Sequence, residues 1–136
     1  MRVALDTNIL VSALITRGLS TDVIRLVLAK HDLILTETIL NELGQVLRKK
    51  FGVPDSRVEF VINKFQKYVQ TQKSKFTGSL ELIRDPDDRL VLAVVIEARA
   101  DILITGDKDF LDVRDRIPEI LIKTPREFWE LVRQPY

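Results

Sequence analysis

Short runs rich in valine, isoleucine and leucine alternate along the chain with longer stretches whose apolar positions recur every three or four residues. This alternation constrains the fold more than any other feature of the sequence. Arg2 to Leu5, Leu33 to Leu35, Ile102 to Ile104 and Ile120 to Ile122 read as strands too short to bridge anything but neighbours in a sheet. Between them the chain reads as helix from Asn8 to Ile15, and then in a second helix that Ser20 can cap, with Val23, Ile24, Val27 and Leu28 on one side. A third helix, from Thr36 to Lys50, carries Ile39, Leu40, Leu43, Val46 and Leu47. A fourth, opened by Pro54-Asp55, displays Val58, Val61, Ile62, Phe65 and Val69. Gln70 to Ser79 reads as a connector, with room for a short strand around Phe76. Strands alternating with helices imply an α/β fold: a central parallel sheet of four to five strands with helices on both faces.

The run Leu90 to Ile96 fits a buried strand or a buried helix, and the residues before it decide for helix. Asp85 can cap, Pro86 suits the first helical position, and Asp87 and Asp88 suit the positive end of a helix dipole. Gly106 to Phe110 turns into a short helix. Thr124-Pro125-Arg126-Glu127 is a capping box that starts a terminal helix burying Phe128, Trp129, Leu131 and Val132 in some combination. With 136 residues, 46% hydrophobic, the chain has the size of one domain spanning 1–136, and no repeat or linker divides it.

The longest wholly apolar run is too short to cross a bilayer, and the first residues lead into a strand with no signal-peptide pattern, so no membrane is expected. Zero cysteines exclude disulfides, thiolate zinc sites and a cysteine nucleophile; the cytoplasm is the expected compartment. The net charge of +1 hides an uneven distribution. From Arg48 to Lys75 there are eight basic residues (Arg48, Lys49, Lys50, Arg57, Lys64, Lys67, Lys73, Lys75) against Asp55 and Glu59. That leaves 13 basic against 18 acidic elsewhere. A basic segment beside an acidic remainder suits a protein that grips a polyanion and holds cations elsewhere, and equally suits a solvated helix face.

Four acidic positions stand out: Asp6 in Asp-Thr-Asn, Glu42 on the third helix, Asp88 in Asp-Pro-Asp-Asp-Arg, and Asp107 in Thr-Gly-Asp-Lys-Asp-Phe. Singly, the aspartates can be helix caps and Glu42 a surface residue. Together they carry more. Asp6 falls at the carboxyl end of the first strand and Asp107 just past the strand at Ile102 to Ile104. If the chain winds outward from its first strand and then reverses, those ends are neighbours at the switch point. Carboxylates roughly 5 Å apart repel by about 3 kcal/mol at an effective dielectric near 20, so such a cluster needs a cation. Oxygen ligands without cysteine favour Mg²⁺ or Mn²⁺ over zinc. The single histidine, His31, lies between a helix end and a strand, away from the acidic motifs, and reads as a structural group at a helix C-terminus.

These motifs resemble the PIN domain family, in the compact prokaryotic form found as the VapC-like toxin of a toxin–antitoxin pair. The resemblance covers nearly the whole chain. It rests on Val-Ala-Leu-Asp-Thr-Asn-Ile-Leu-Val-Ser-Ala-Leu at the start, Thr-Glu-Thr-Ile-Leu-Asn-Glu-Leu-Gly-Gln-Val-Leu around Glu42, Asp-Pro-Asp-Asp-Arg-Leu, and Ile-Thr-Gly-Asp-Lys-Asp-Phe-Leu. It implies a metal-dependent endoribonuclease in which Asp6, Glu42, Asp88 and Asp107 are the catalytic, metal-binding acids, supported by Asn8, Thr105 and Asp109, with Asp85 and Asp87 as alternative acids. Arg89 departs from the family pattern, which frequently has a small polar residue there. The implied partners are an RNA substrate, gripped in part by Arg48, Lys49 and Lys50, a second copy in a homodimer, and a cognate antitoxin. Two other readings fit less of the sequence. One is a non-catalytic RNA- or protein-binding module of the same fold. The other is an aspartate-phosphorylated receiver-like domain, suggested by Lys123-Thr124-Pro125 but lacking an acid pair after the first strand.

Overall fold

The computed structural model describes residues 1–70 and 79–133. Strands β1 (Arg2–Leu5), β2 (Asp32–Thr36), β3 (Val69–Gln70), β4 (Ile102–Ile104) and β5 (Leu121–Lys123) form one sheet in the order β3-β2-β1-β4-β5. Every pairing is parallel. The helices are α1 (Thr7–Ile15), α2 (Leu19–Lys30), α3 (Glu37–Lys49), α4 (Asp55–Phe65), α5 (Pro86–Glu97), α6 (Lys108–Leu111) and α7 (Pro125–Arg133).

The period of two in a strand sorts the apolar residues between two cores. Val3, Leu5, Leu33, Leu35, Ile102 and Ile104 belong to one, with residues from α1 to α4 and Phe128 of α7. Ala4, Ile34, Leu103 and Ile122 belong to the other, with Leu92, Ala93 and Val95 of α5 and Phe110 of α6. Both faces are therefore covered, as an all-parallel sheet requires.

The expected reversal is present. The chain leaves β1 in the middle, runs outward to β2 and β3, then returns to lay β4 against the other side of β1. The carboxyl ends of β1 and β4 are neighbours, joined by a hydrogen bond from Asp6 N to Ile104 O at 3.0 Å. The expected capping box also forms: Thr124 Oγ1 accepts from Glu127 N at 3.1 Å and Glu127 Oε1 accepts from Thr124 N at 2.9 Å.

Several local expectations are corrected. Ser20 does not cap the second helix, because α2 begins at Leu19 behind Gly18, which has no side chain to offer. The turn is tied instead by Thr21, whose hydroxyl donates to Thr16 O at 2.8 Å and to Ala13 O at 3.2 Å. The fourth helix stops at Phe65, and a 3₁₀ turn leads Val69 into β3. Val69 has the right spacing for the helix, but pairing with Leu35 satisfies its backbone in the sheet. The last strand is shifted by one residue, and Leu131 stays exposed while Phe128 is buried. His31 does close α2, but as an acceptor: the terminal ammonium lies 3.0 Å from its Nδ1, and burial, reinforced by that ammonium, lowers its pKa. The strand expected around Phe76 and the basic residues Lys73 and Lys75 lie outside the described residues.

Candidate metal centre

Asp6 leaves β1 in an extended conformation (φ −72°, ψ 159°) and caps α1, with Oδ1 accepting from Thr7 N at 2.8 Å. Its other oxygen accepts from the Thr105 hydroxyl just beyond β4, at 2.8 Å. The hydroxyl of Thr105 in turn accepts from Asp107 N at 3.0 Å. One threonine thus ties together the ends of the two central strands. Asp6 is only 8% exposed. Burial pushes its pKa up, the bonds from Thr105 and Thr7 pull it back, and Asp107 raises it further.

Glu42 reaches the same region from α3 through Thr7, whose hydroxyl donates to Glu42 Oε2 at 2.9 Å. Thr7 therefore fixes two of the predicted acids, Asp6 by its amide and Glu42 by its hydroxyl. Sequence reasoning gave it no role beyond its place in Asp-Thr-Asn; the available signal was a hydroxyl directly after Asp6. Desolvation raises the pKa of Glu42, opposed by the Thr7 bond and assisted by Asp6, Asp87 and Asp85.

The three acids at the start of α5 have different tasks. Asp85 is the cap, accepting from Asp87 N at 2.7 Å and Asp88 N at 3.4 Å. Asp88, one turn further on, lies with Asp107 and Asp109 so that one carboxylate oxygen from each falls within 4.8 Å of the others. Desolvation raises the pKa of Asp88 to about 7, with further contributions from Asp85, Asp107, Asp6 and Glu42. Asp6, Glu42 and Asp107 thus all act on Asp88. Asp107 also caps α6 through Asp109 N at 2.9 Å. Arg89 does not enter this cluster: its guanidinium donates to the carbonyls of Ile83 and Arg84, holding the turn before α5.

Among the described residues, no ion pair relieves the crowding. The two salt bridges among the described residues, Arg48 to Asp55 at 3.0 Å and Arg114 to Glu127 at 2.8 Å, involve none of these acids. The donors are all carboxylate oxygens, which fits a hard divalent cation and not a soft one. Asn8 is exposed, as are Lys49 and Lys50. Arg48 is engaged by Asp55.

Residues 2–109 match the family described as PIN domain. The chain belongs to the PIN domain family. An uncharacterized protein of Methanocaldococcus jannaschii is 32% identical over 146 aligned positions, covering 96% of this chain and 90% of the relative. Two solved structures have the same PIN fold. VapBC2 from Rickettsia felis, bound to a DNA fragment from its promoter, matches with a TM-score of 0.64 and 17% identity, over 91% of this chain and 98% of that one. VapBC-1 from nontypeable Haemophilus influenzae matches with a TM-score of 0.60 and 17% identity, over 93% and 99%. No helix among the described residues of this PIN domain is long and apolar enough to cross a membrane.

Proposed function

We propose that this PIN domain, taken as one nuclease domain over 1–136, is a metal-dependent endoribonuclease. The observation that carries the reading is the convergence of uncompensated carboxylates on Asp88, whose pKa is raised to about 7. Such repulsion is costly to fold around, and a bound cation would relieve it. Asp88, Asp107 and Asp109 offer oxygens close enough for one ion, and Asp6 and Glu42 complete the anionic wall.

A Mg²⁺ or Mn²⁺ ion held there supplies Lewis acidity, activating water and offsetting the negative charge that develops at phosphorus. The residues of the chain position and orient. Thr105 and the amide of Thr7 fix both oxygens of Asp6. The Thr7 hydroxyl fixes Glu42, leaving its second oxygen uncommitted in that bond. Asp88, whose pKa is raised to about 7 by burial and by the neighbouring acids, would give up its proton as the cation binds. No side-chain nucleophile is needed, and Arg48, Lys49 and Lys50 supply positive charge for the RNA backbone.

The likeness to VapBC proteins supports a role as the toxin component of a toxin–antitoxin system, restrained by a cognate antitoxin, and the reading extends to a homodimer acting in the cytoplasm. The test is incubation with total RNA, with and without Mn²⁺, followed by mapping of the new ends. Discrete cuts that require the metal and vanish in Asp107→Asn support the proposal; intact RNA under all conditions refutes it.

A further inference from the structure

Arg57, Phe60, Lys64 and Lys67 follow one another at spacings of three, four and three, the repeat that lines side chains up along one side of a helix. The first three lie on α4 and Lys67 on the 3₁₀ turn that prolongs it, and all four are exposed. The opposite side of α4 is held in the core by Val58 and Phe65. Phe60, at 63%, is more exposed than any other large hydrophobic side chain among the described residues. The helix is anchored by its inner face without Phe60, and a single exposed apolar side chain takes its meaning from what surrounds it.

The charges around it have one sign. Arg57, Lys64 and Lys67 make no ion pair among the described residues. Of the two acids on α4, Asp55 is paired with Arg48. Glu59, next to Phe60 in sequence, is turned about 100° round the helix from it. The Lys64 ammonium lies 5.3 Å from the centre of the Phe60 ring and that of Lys67 lies 5.2 Å from the centre of the Tyr68 ring. An aromatic ring among unpaired cations, over a stripe of about 15 Å, matches a strand whose bases are free to stack and whose phosphates need neutralising. The same stripe meeting its own copy across a two-fold axis would set cation against cation.

We propose that the outer stripe of α4 is a binding surface for single-stranded RNA, with Phe60 as the stacking platform and Arg57, Lys64 and Lys67 against successive phosphates. The proposal rests on the nuclease reading for its choice of polyanion, and it adds a contact surface carried by α4. The test uses the intact protein in EDTA, where cleavage is blocked, and a fluorescein-labelled oligouridylate beside a hairpin duplex of equal length. The wild type should bind the single strand more tightly than the duplex. Phe60→Ala should weaken single-strand binding roughly tenfold, and Phe60→Trp should restore it. Lys64→Gln should lower the slope of log affinity against log salt by about 0.7. Unchanged binding in Phe60→Ala and Lys64→Gln overturns the proposal, as does a Phe60→Ala variant that alters only the sedimentation of the protein, which would mark a protein contact. Cleavage is measured separately in Mn²⁺. A wild type that cuts nothing but shows Phe60-dependent binding removes the nuclease reading and leaves this surface; cleavage with Phe60-independent binding does the reverse.

Discussion

Thr105 donates a 2.8 Å hydrogen bond to Asp6 across 99 residues of chain, joining the turn after β4 to the end of β1. Its hydroxyl is fully buried and also receives the amide of Asp107, so the two central acids are registered to each other through one oxygen atom. Thr105→Val keeps the shape and removes that oxygen. We predict a loss of about 1–3 kcal/mol of stability from the partners left unsatisfied, and a 10–100-fold loss of Mn²⁺ affinity. Thr105→Ser should recover most of both, measured by thermal unfolding and calorimetric titration.

Asp6→Asn retains an oxygen for the Thr7 amide but removes the anion. Cleavage is predicted to fall by at least a hundredfold, while the melting temperature in EDTA stays unchanged or rises because repulsion from Asp107 is relieved. Asp6→Ala, which also loses the helix cap, should be less stable by about 1 kcal/mol. Full activity in Asp6→Asn would remove Asp6 from the site.

Stability without metal should fall between about pH 4 and pH 7. Asp88 titrates at 3.8 when unfolded and about 7 when folded, and Asp6 and Glu42 are raised as well. The folded protein therefore binds more protons than the unfolded chain, giving stability that is complete below the unfolded value and lost as pH rises through the folded one. Glu127, depressed from 4.5 to about 2 by its bonds from Arg114 and the Thr124 amide, acts in the opposite sense and only at lower pH. Melting temperatures in EDTA at pH 5 and pH 8 check this: the value at pH 8 should be lower, and Asp88→Asn should flatten the difference.

Thr124→Ala provides a control at the start of α7. It removes one half of the capping box and should cost about 1 kcal/mol while leaving the Mn²⁺-dependent cleavage rate unchanged. A parallel drop in activity would mean that general stability, and not the acidic cluster, limits the assay.

The sheet was legible because strand and helix periods differ and because the caps Asp6, Asp85, Asp107 and Thr124 mark where α1, α5, α6 and α7 begin. The convergence of Asp6 and Asp107 follows from that topology alone. The separation of Asp85 from Asp88 does not, since three acids at a helix start look alike until the geometry commits one to the amides and turns another toward Asp107. Asp109 belongs to the tight trio because it sits in the turn that Asp107 caps. The bond from Thr7 to Glu42 spans 35 residues and depends on how α3 lies against α1, which no local pattern encodes. Val69 was read as part of the fourth helix for a related reason: its spacing fits α4, and only the open edge of β2 claims it.

The most direct measurement is calorimetric titration of Mn²⁺ into the metal-free protein at pH 6.5, repeated in buffers of different ionisation enthalpy. Saturable heat accompanied by proton release, both lost in Asp88→Asn, is the predicted result, since the cation must displace the proton that crowding places on Asp88. Absence of heat in the wild type, together with RNA cleavage that proceeds equally in EDTA, would contradict the account.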